Sequence, residues 1–415
     1  MRILFIVPYA PSLVRVRSYQ LIRSLVEGGH QVVLGTLWSD EKELKDIEQI
    51  RKICDKVIAF QLPRVRSMIN CSLGLFSKKP LQYVYCWEPR LAKELEDYIR
   101  KNEETIDVIH VEHLRGAMYG CMLKSFLTQS NLPIPIIWDS VDSISYLFKQ
   151  SAQQNRQIFK RWLMLFELNR TELYEQYLAN LFAHVLVTSS VDRDVFLSLK
   201  REGEAIKKEH ISILPNGVDL EYFRPPDGIN RETAALVVSG KMSYHANISM
   251  TLYLVKEIMP LIWKKRPEVK LWIVGKDPHR EIRKLAENPL ITVTGTVPDL
   301  RAYLQRATIA VAPLVYGAGI QNKVLEAMAC ATPVVTSPQA MKALEAVPGR
   351  DLEQANTPGE YAEKIINLLA SPSYQKKIGS AGRSYVENHH RWSIIAEGLT
   401  LIYHKVNHHR SGGIV

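Results

Sequence analysis

The densest chemistry in this chain lies between residues 313 and 329. Tyr316-Gly317-Ala318-Gly319-Ile320 is a glycine-bearing loop that leaves a strand end at Pro313 and enters a helix start at Gln321-Asn322-Lys323. Backbone N–H groups that open a helix have no partner inside it, and with the helix dipole they favour an anion such as a diphosphate. Lys323 in the first turn opposes that dipole unless an anion lies nearby. Glu326 follows one turn later. An ordinary loop-to-helix junction with a solvated lysine and glutamate has the same spacing.

Other groups stand where a site could use them. Lys241 directly follows a strand predicted over Ala235–Ser239, where it is either a cation for a bound anion or a surface lysine. The run Val293-Thr294-Gly295-Thr296-Val297-Pro298-Asp299 is a strand, a turn and a helix cap. In the first half, Asp107-Val108-Ile109-His110-Val111-Glu112-His113 places Glu112 and His113 at a strand end. A lone histidine there is either a satisfied structural group or a functional one. Asp139 and Asp142 follow the next predicted strand and can bind acceptor hydroxyls or cap a helix. Arg15 and Arg17 open the first helix and suit an anionic acceptor such as a lipid pyrophosphate, or stand solvated. Arg156, Lys160 and Arg161 lie beside Phe159 and Trp162. They can dock on an anionic membrane, or be solvated charges opposite buried aromatics.

The elements that must position these residues alternate along the chain. Apolar runs at Ile3–Val7, Gln31–Thr36, Val57–Phe60, Asp107–Val111, Pro135–Trp138 and His184–Thr188 predict buried strands. Helices are predicted between them over Arg15–Gly28, Glu41–Lys52, Pro89–Lys101 and Leu114–Gln129. The stretch from Ser145 to about Asn180 predicts one long helix or two with a bend. A second series predicts strands at Ala235–Ser239, Lys270–Val274, Ile291–Thr294, Thr308–Ala312 and Pro333–Thr336. Its helices are predicted over Asn247–Lys265, Arg280–Asn288, Leu300–Arg306, Asn322–Cys330, Pro358–Ala370 and Ser373–Asn388. This is the pattern of parallel sheets covered on both faces. The expected fold class is α/β, with two Rossmann-like doubly wound domains facing a central cleft where ligands bind. The expected division is 1–210, 211–390, and a C-terminal helix with a polar tail over 391–415 that packs back toward the first domain.

Length supports two cores. The formal charge of +10 favours anionic partners, but the basic residues are spread out, with no arginine-rich arm, so nucleic acid is not expected. Cys54, Cys71, Cys86, Cys121 and Cys330 are scattered, which points to reduced thiols and a cytoplasmic protein. No apolar run reaches membrane-spanning length, so any membrane contact would be peripheral, at the inner face.

Four segments in order resemble the retaining GT-B glycosyltransferases of family 4, especially bacterial members linked to exopolysaccharide assembly. They are the first strand with Gly28-Gly29-His30-Gln31-Val32, Leu214-Pro215-Asn216-Gly217-Val218-Asp219 with Phe223-Arg224-Pro225, Gly240–Asn247, and Val324-Leu325-Glu326-Ala327-Met328-Ala329. Trp138–Ser143 and Thr188–Asp192 carry the bacterial likeness. The resemblance covers nearly the whole chain.

It implies transfer of a sugar, of hexosyltransferase type, from a UDP- or GDP-linked nucleotide sugar to a lipid-linked, polysaccharide-precursor or small-molecule acceptor. Configuration would be retained, with no metal and no cofactor besides the donor substrate. Lys241 and Lys323 would hold the diphosphate. Val297, Gly317, Gly319, Ile320, Gln321 and Asn322 would line the donor site, and Glu326 would accept from the ribose hydroxyls. His113 would lie near the donor sugar, and Arg15, Arg17, Asp139 and Asp142 would meet the acceptor. Two departures stand out. Ala318 occupies the place of the family's first glutamate, and the first loop, Ala10–Arg17, lacks the usual paired glycines. They leave room for a non-catalytic nucleotide-sugar-binding or scaffold subunit. An epimerase or phosphorylase of the same architecture is a further alternative.

Overall fold

The computed structural model describes the chain apart from residues 13–14, 155–157, 200–204, 226–227, 229–230, 317–318 and 412–415, and apart from the side chains of 154, 158–160 and 408–411. The chain forms two compact units, Met1–Pro215 with Trp392–Val415, and Asn216–Arg391.

The first unit is built on a parallel sheet of seven strands: β1 (Arg2–Val7), β2 (Gln31–Trp38), β3 (Lys56–Gln61), β4 (Val108–Glu112), β5 (Ile136–Val141), β6 (His184–Val187) and β7 (Ile211–Ile213). Their order is β3-β2-β1-β4-β5-β6-β7. β1 shows why the sheet is sandwiched. Its side chains alternate between faces, and both sets are apolar and buried. Ile3, Phe5 and Val7 pack in one core with Leu21, Ile22 and Leu25, whereas Leu4 and Ile6 pack in the other with Leu95, Ile99 and Leu114. The helix Trp392–Ser411 completes the first of these cores through Trp392, Ile395, Leu399 and Tyr403. Helices Ile144–Gln154 and Ile158–Leu181 occupy the stretch where one long or bent helix is expected, and they pack on each other.

The second unit carries six parallel strands: β8 (Ala235–Ser239), β9 (Lys270–Val274), β10 (Ile291–Gly295), β11 (Ile309–Ala312), β12 (Val334–Thr336) and β13 (Glu353–Gln354), ordered β10-β9-β8-β11-β12-β13. One core of buried aliphatic and methionine side chains surrounds them. The helix predicted over 247–265 is interrupted by a π turn at Leu254–Ile258. Pro260, which has no N–H to donate, stands just after it. The carboxyl ends of β8 and β9 lie so close that a Cβ on Gly275, at φ 152, would sit 1.7 Å from the Gly240 carbonyl oxygen. Only glycine fits there.

Among the described residues, no helix is long and apolar enough to cross a membrane.

If the last helix is part of the first core, Leu399→Ala should cost about 2–5 kcal/mol by the cavity it leaves. Leu401→Ala, at a position 70% exposed, should stay within about 0.5 kcal/mol. Urea unfolding of both variants checks this, and equal midpoints would refute it.

Candidate functional site

In the second unit the strand order reverses between β8 and β11, so the loops leaving their carboxyl ends diverge and open a crevice. Lys241 leaves β8 and is exposed. The loop leaving β11 runs from Pro313 to Gln321 and enters helix Asn322–Ala329. Gly317 and Ala318 lie outside the described residues. Gly319 adopts φ +64, the left-handed conformation that turns the chain into the helix. Ile320 anchors the loop in the core. Gln321 is the N-cap; its carbonyl accepts from the Val324 N–H at 2.8 Å, and among the described residues its side chain does not cap the helix. The Asn322 side chain accepts from Asn216 Nδ2 at 3.2 Å.

Asn247 ties the two loops together. Its Nδ2 donates to the Lys241 carbonyl at 3.0 Å, and its Oδ1 accepts from Lys323 Nζ at 2.5 Å. Lys323 is half-buried, and burial lowers its ammonium to about 8 against the opposing pull of Glu326. Burial raises Glu326 to about 7 against the pull of Lys323. No hydrogen-bond partner meets the Glu326 carboxylate among the described residues. His245 stacks on Tyr316 with ring centroids 5.4 Å apart, and its Nδ1 lies 2.6 Å from the Tyr316 hydroxyl. Burial also pushes His245 below its ordinary value, so it brings no charge at neutral pH. Val297 lies beyond β10, two strands out from β8, partly buried against the same core. A diphosphate set at this crevice would meet a confined ammonium and open helix N–H groups, with a carboxylate one turn further on to accept from hydroxyls.

The first unit has its own reversal, between β1 and β4. Here two buried charges meet each other. Arg17 donates to Asp139 Oδ2 through Nη2 at 2.8 Å and Nε at 3.0 Å, and to the Leu214 carbonyl at 3.1 Å. Against the upward push of burial, Arg17 and His110 hold the Asp139 carboxyl below its ordinary value. The Tyr403 hydroxyl lies 2.8 Å from His110 Nδ1. Arg17 and Asp139, two candidates for acceptor contact, thus meet each other in a buried ion pair. Asp142 accepts from Thr188 Oγ1 at 2.8 Å and, pushed up by burial and by Asp192, titrates near 6. Glu112 accepts from the Tyr9 hydroxyl and from Ser18 Oγ, and burial raises it to about 7.

His113 begins helix His113–Gln129 at φ +65, and Val141 ends β5 at φ +68. Such conformations cost on the order of 1–3 kcal/mol each and mark constrained positions. The His113 Nδ1 accepts from the Arg115 N–H at 3.2 Å, which places the proton of the neutral ring on Nε2. Burial and Arg115 depress this ring to about 3.

Beside this cluster, a cavity of about 160 Å³ is lined by Tyr9, Arg15, Glu43, Arg64, Tyr85 and Arg115 among others. Arg15 pairs with Glu43 at 2.7 Å and lies 4.8 Å over the Tyr9 ring. Arg115 lies 5.4 Å over the Tyr85 ring, with its Nε buried and without a hydrogen-bond partner among the described residues.

Several of these residues escape sequence reasoning. Asn247 closes the motif that begins at Gly240, but an amide in a first helical turn is unremarkable until the β11 loop meets it. Arg64 and Arg115 join Arg15 only in space. Of the basic and aromatic residues singled out near 160, Arg156 lies outside the described residues, as do the side chains of Phe159 and Lys160. Arg161 and Trp162 are exposed.

Comparison with known proteins agrees with this architecture. Residues 14–222 match the model Glycosyltransferase Family 4, and residues 233–371 match Glycosyl transferases group 1. An uncharacterized 44.6 kDa protein in the cps region of Klebsiella pneumoniae is 22% identical over 372 residues, 87% of this chain and 88% of that protein. The MMP alpha-(1->4)-mannosyltransferase of Mycolicibacterium hassiacum is 29% identical over 213 residues, 48% of this chain and only 50% of the relative. Among solved structures, a sucrose-phosphate synthase from Thermosynechococcus elongatus superposes with TM-score 0.66 at 17% identity, over 98% of this chain and 99% of that one. The Anabaena protein HepE, in complex with UDP and glucose, gives 0.66 at 14% identity, over 98% and 100%. At such identities the structural likeness speaks for the fold alone, and the family match covers half of the chain. Two parallel sheets, each reversing order beside a candidate site, and these matches together make the chain a member of glycosyltransferase family 4, a glycosyltransferase of GT-B type.

Proposed function

We propose that the chain transfers a sugar from a nucleotide diphosphate donor to an anionic acceptor, with retention of configuration and without a metal ion. The observation that carries this is Lys323. It is a half-buried ammonium depressed to about 8, beside an uncapped helix start at a sheet reversal. A cation desolvated at that cost is stabilised by a bound anion. The UDP held by HepE supports a nucleotide donor.

In this reading Lys323, Lys241 and the N–H groups of Ile320, Gln321 and Asn322 hold the diphosphate, with Gly317 and Gly319 letting the backbone approach. Glu326 accepts from ribose hydroxyls, and Val297 meets the base. The sugar C1–oxygen bond breaks and its electron pair leaves on the β-phosphate, whose developing charge the two lysines offset. The acceptor oxygen bonds to C1 on the face the phosphate leaves, and its proton passes to the departing phosphate oxygen. His113, neutral and protonated on Nε2, donates to a sugar hydroxyl and so positions the sugar. Arg15, Arg64 and Arg115 receive the acceptor's anionic group, which suits a lipid-linked phosphate or diphosphate precursor.

Nucleoside diphosphate should be released only when acceptor is present, and Lys323→Ala or Lys241→Ala should lower kcat/KM roughly 100- to 1,000-fold. Unchanged rates in Lys323→Ala would sink the assignment. Since the Lys323 ammonium deprotonates near 8, kcat/KM should fall as pH rises through 8 and stay flat in Lys323→Arg. Superimposable pH profiles would contradict that role. Arg115→Ala should raise the acceptor KM on the order of tenfold while donor KM stays put. An effect on donor KM alone would remove the arginine pocket from the acceptor site.

A further inference from the structure

Helix Arg64–Leu75 is assembled the opposite way round from a core helix. Its small residues Ser67 and Gly74 face inward, and a Cβ on Gly74 would stand 2.9 Å from the Val84 side chain. Its large apolar residues face out. Val65, Met68, Ile69 and Leu73 follow helical spacing along one exposed side, and Phe76, next after the helix, is 93% exposed. Soluble monomers rarely show a contiguous apolar surface of this kind without using it.

The face is firmly mounted. Arg170, from helix Ile158–Leu181, donates to the Leu75 carbonyl at 2.8 Å and the Gly74 carbonyl at 3.2 Å, satisfying groups a helix end leaves open. Glu167 of the same helix accepts from the Leu81 N–H at 2.8 Å. Arg170 also lies 4.1 Å over Phe166, on which Trp162 stacks at 5.6 Å. Trp162, at the far end of this row, is itself 59% exposed.

Charge selects the occupant. From residue 64 to residue 87 the chain holds Arg64, Arg66, Lys78 and Lys79 and no aspartate or glutamate. A second copy would set these cations against themselves. An anionic phospholipid surface would satisfy both the cations and the apolar side chains.

We infer that helix Arg64–Leu75, with Phe76 and Trp162, is a membrane-docking face for an anionic bilayer. The inference deepens the acceptor reading above and rests on it for its purpose. Arg64 and Ser67 of the same helix line the arginine pocket, so docking would set that pocket beside the headgroups that carry a lipid-linked acceptor.

The test is flotation of the full chain with phosphatidylglycerol–phosphatidylcholine vesicles and with phosphatidylcholine vesicles alone. Nucleoside diphosphate binding is measured on the same samples. The wild type should float only with the anionic vesicles. Met68→Ser/Leu73→Ser/Phe76→Ser should reduce the floated fraction at least tenfold with nucleotide binding unchanged. A wild type that does not float, or a triple variant that floats equally, overturns the inference while leaving the transferase reading to its own assays. So does a wild-type dimer that the triple variant converts to monomer, since the face would then belong to a second copy.

Discussion

The second unit is organised around one under-compensated cation. The Lys323 ammonium has left bulk water for a position where Asn247 Oδ1 accepts from it and Glu326 offers charge one turn away. Three features of the chain keep it there. The strand order of a parallel sheet reverses between β8 and β11 and so brings their loops to one crevice. Gly275 permits the close backbone approach at the ends of β8 and β9 that sets the loop carrying Lys241. Asn247 then fastens that loop to the start of helix Asn322–Ala329. A lysine at a helix N-terminus, unfavourable by dipole and by desolvation, is stable only in such a frame.

Buried charge is handled in two ways, and the contrast separates scaffold from site. In the first unit Arg17 and Asp139 satisfy each other deep in the sheet, and Tyr403 from the last helix reaches His110 beside them. Removing one partner would strand the other's charge, so the two are fixed together as part of the scaffold. In the second unit Glu326 has no hydrogen-bond partner among the described residues, and Lys323 is held by a neutral amide. Unspent capacity of that kind is what a polar ligand uses. The arginine pocket lies between these extremes, with Arg15 paired and Arg115 Nε buried without a hydrogen-bond partner among the described residues.

The sequence displays the architecture because parallel strands are buried on both faces and read as unbroken apolar runs, as Ile3–Val7 does. It displays the donor-side residues because Lys323 and Glu326 sit within a few positions of the loop they serve. It hides what depends on distant encounters. Asn247 and Lys323 are 76 residues apart, and Arg17 and Asp139 are 122 apart. Helix Arg64–Leu75 is hidden for another reason. With small residues inward and large apolar ones outward, it has no core-facing period to recognise. The strand Ile211–Ile213 is too short to stand out, and only its pairing with β6 reveals it. The left-handed backbone at Val141 has no local signal, since a β-branched residue disfavours it, and at His113 the residue type is only a weak one.

The most direct test of the account is titration calorimetry of the full chain with UDP and with GDP, run on the wild type, Lys323→Ala and Asn247→Ala. The account predicts one site for one of the nucleotides. It should be lost in Lys323→Ala and weakened in Asn247→Ala, because the amide holds the ammonium in place. Undiminished binding in Lys323→Ala, or no binding of either nucleotide to the wild type, would contradict the claim that this lysine is the anchor of a diphosphate site.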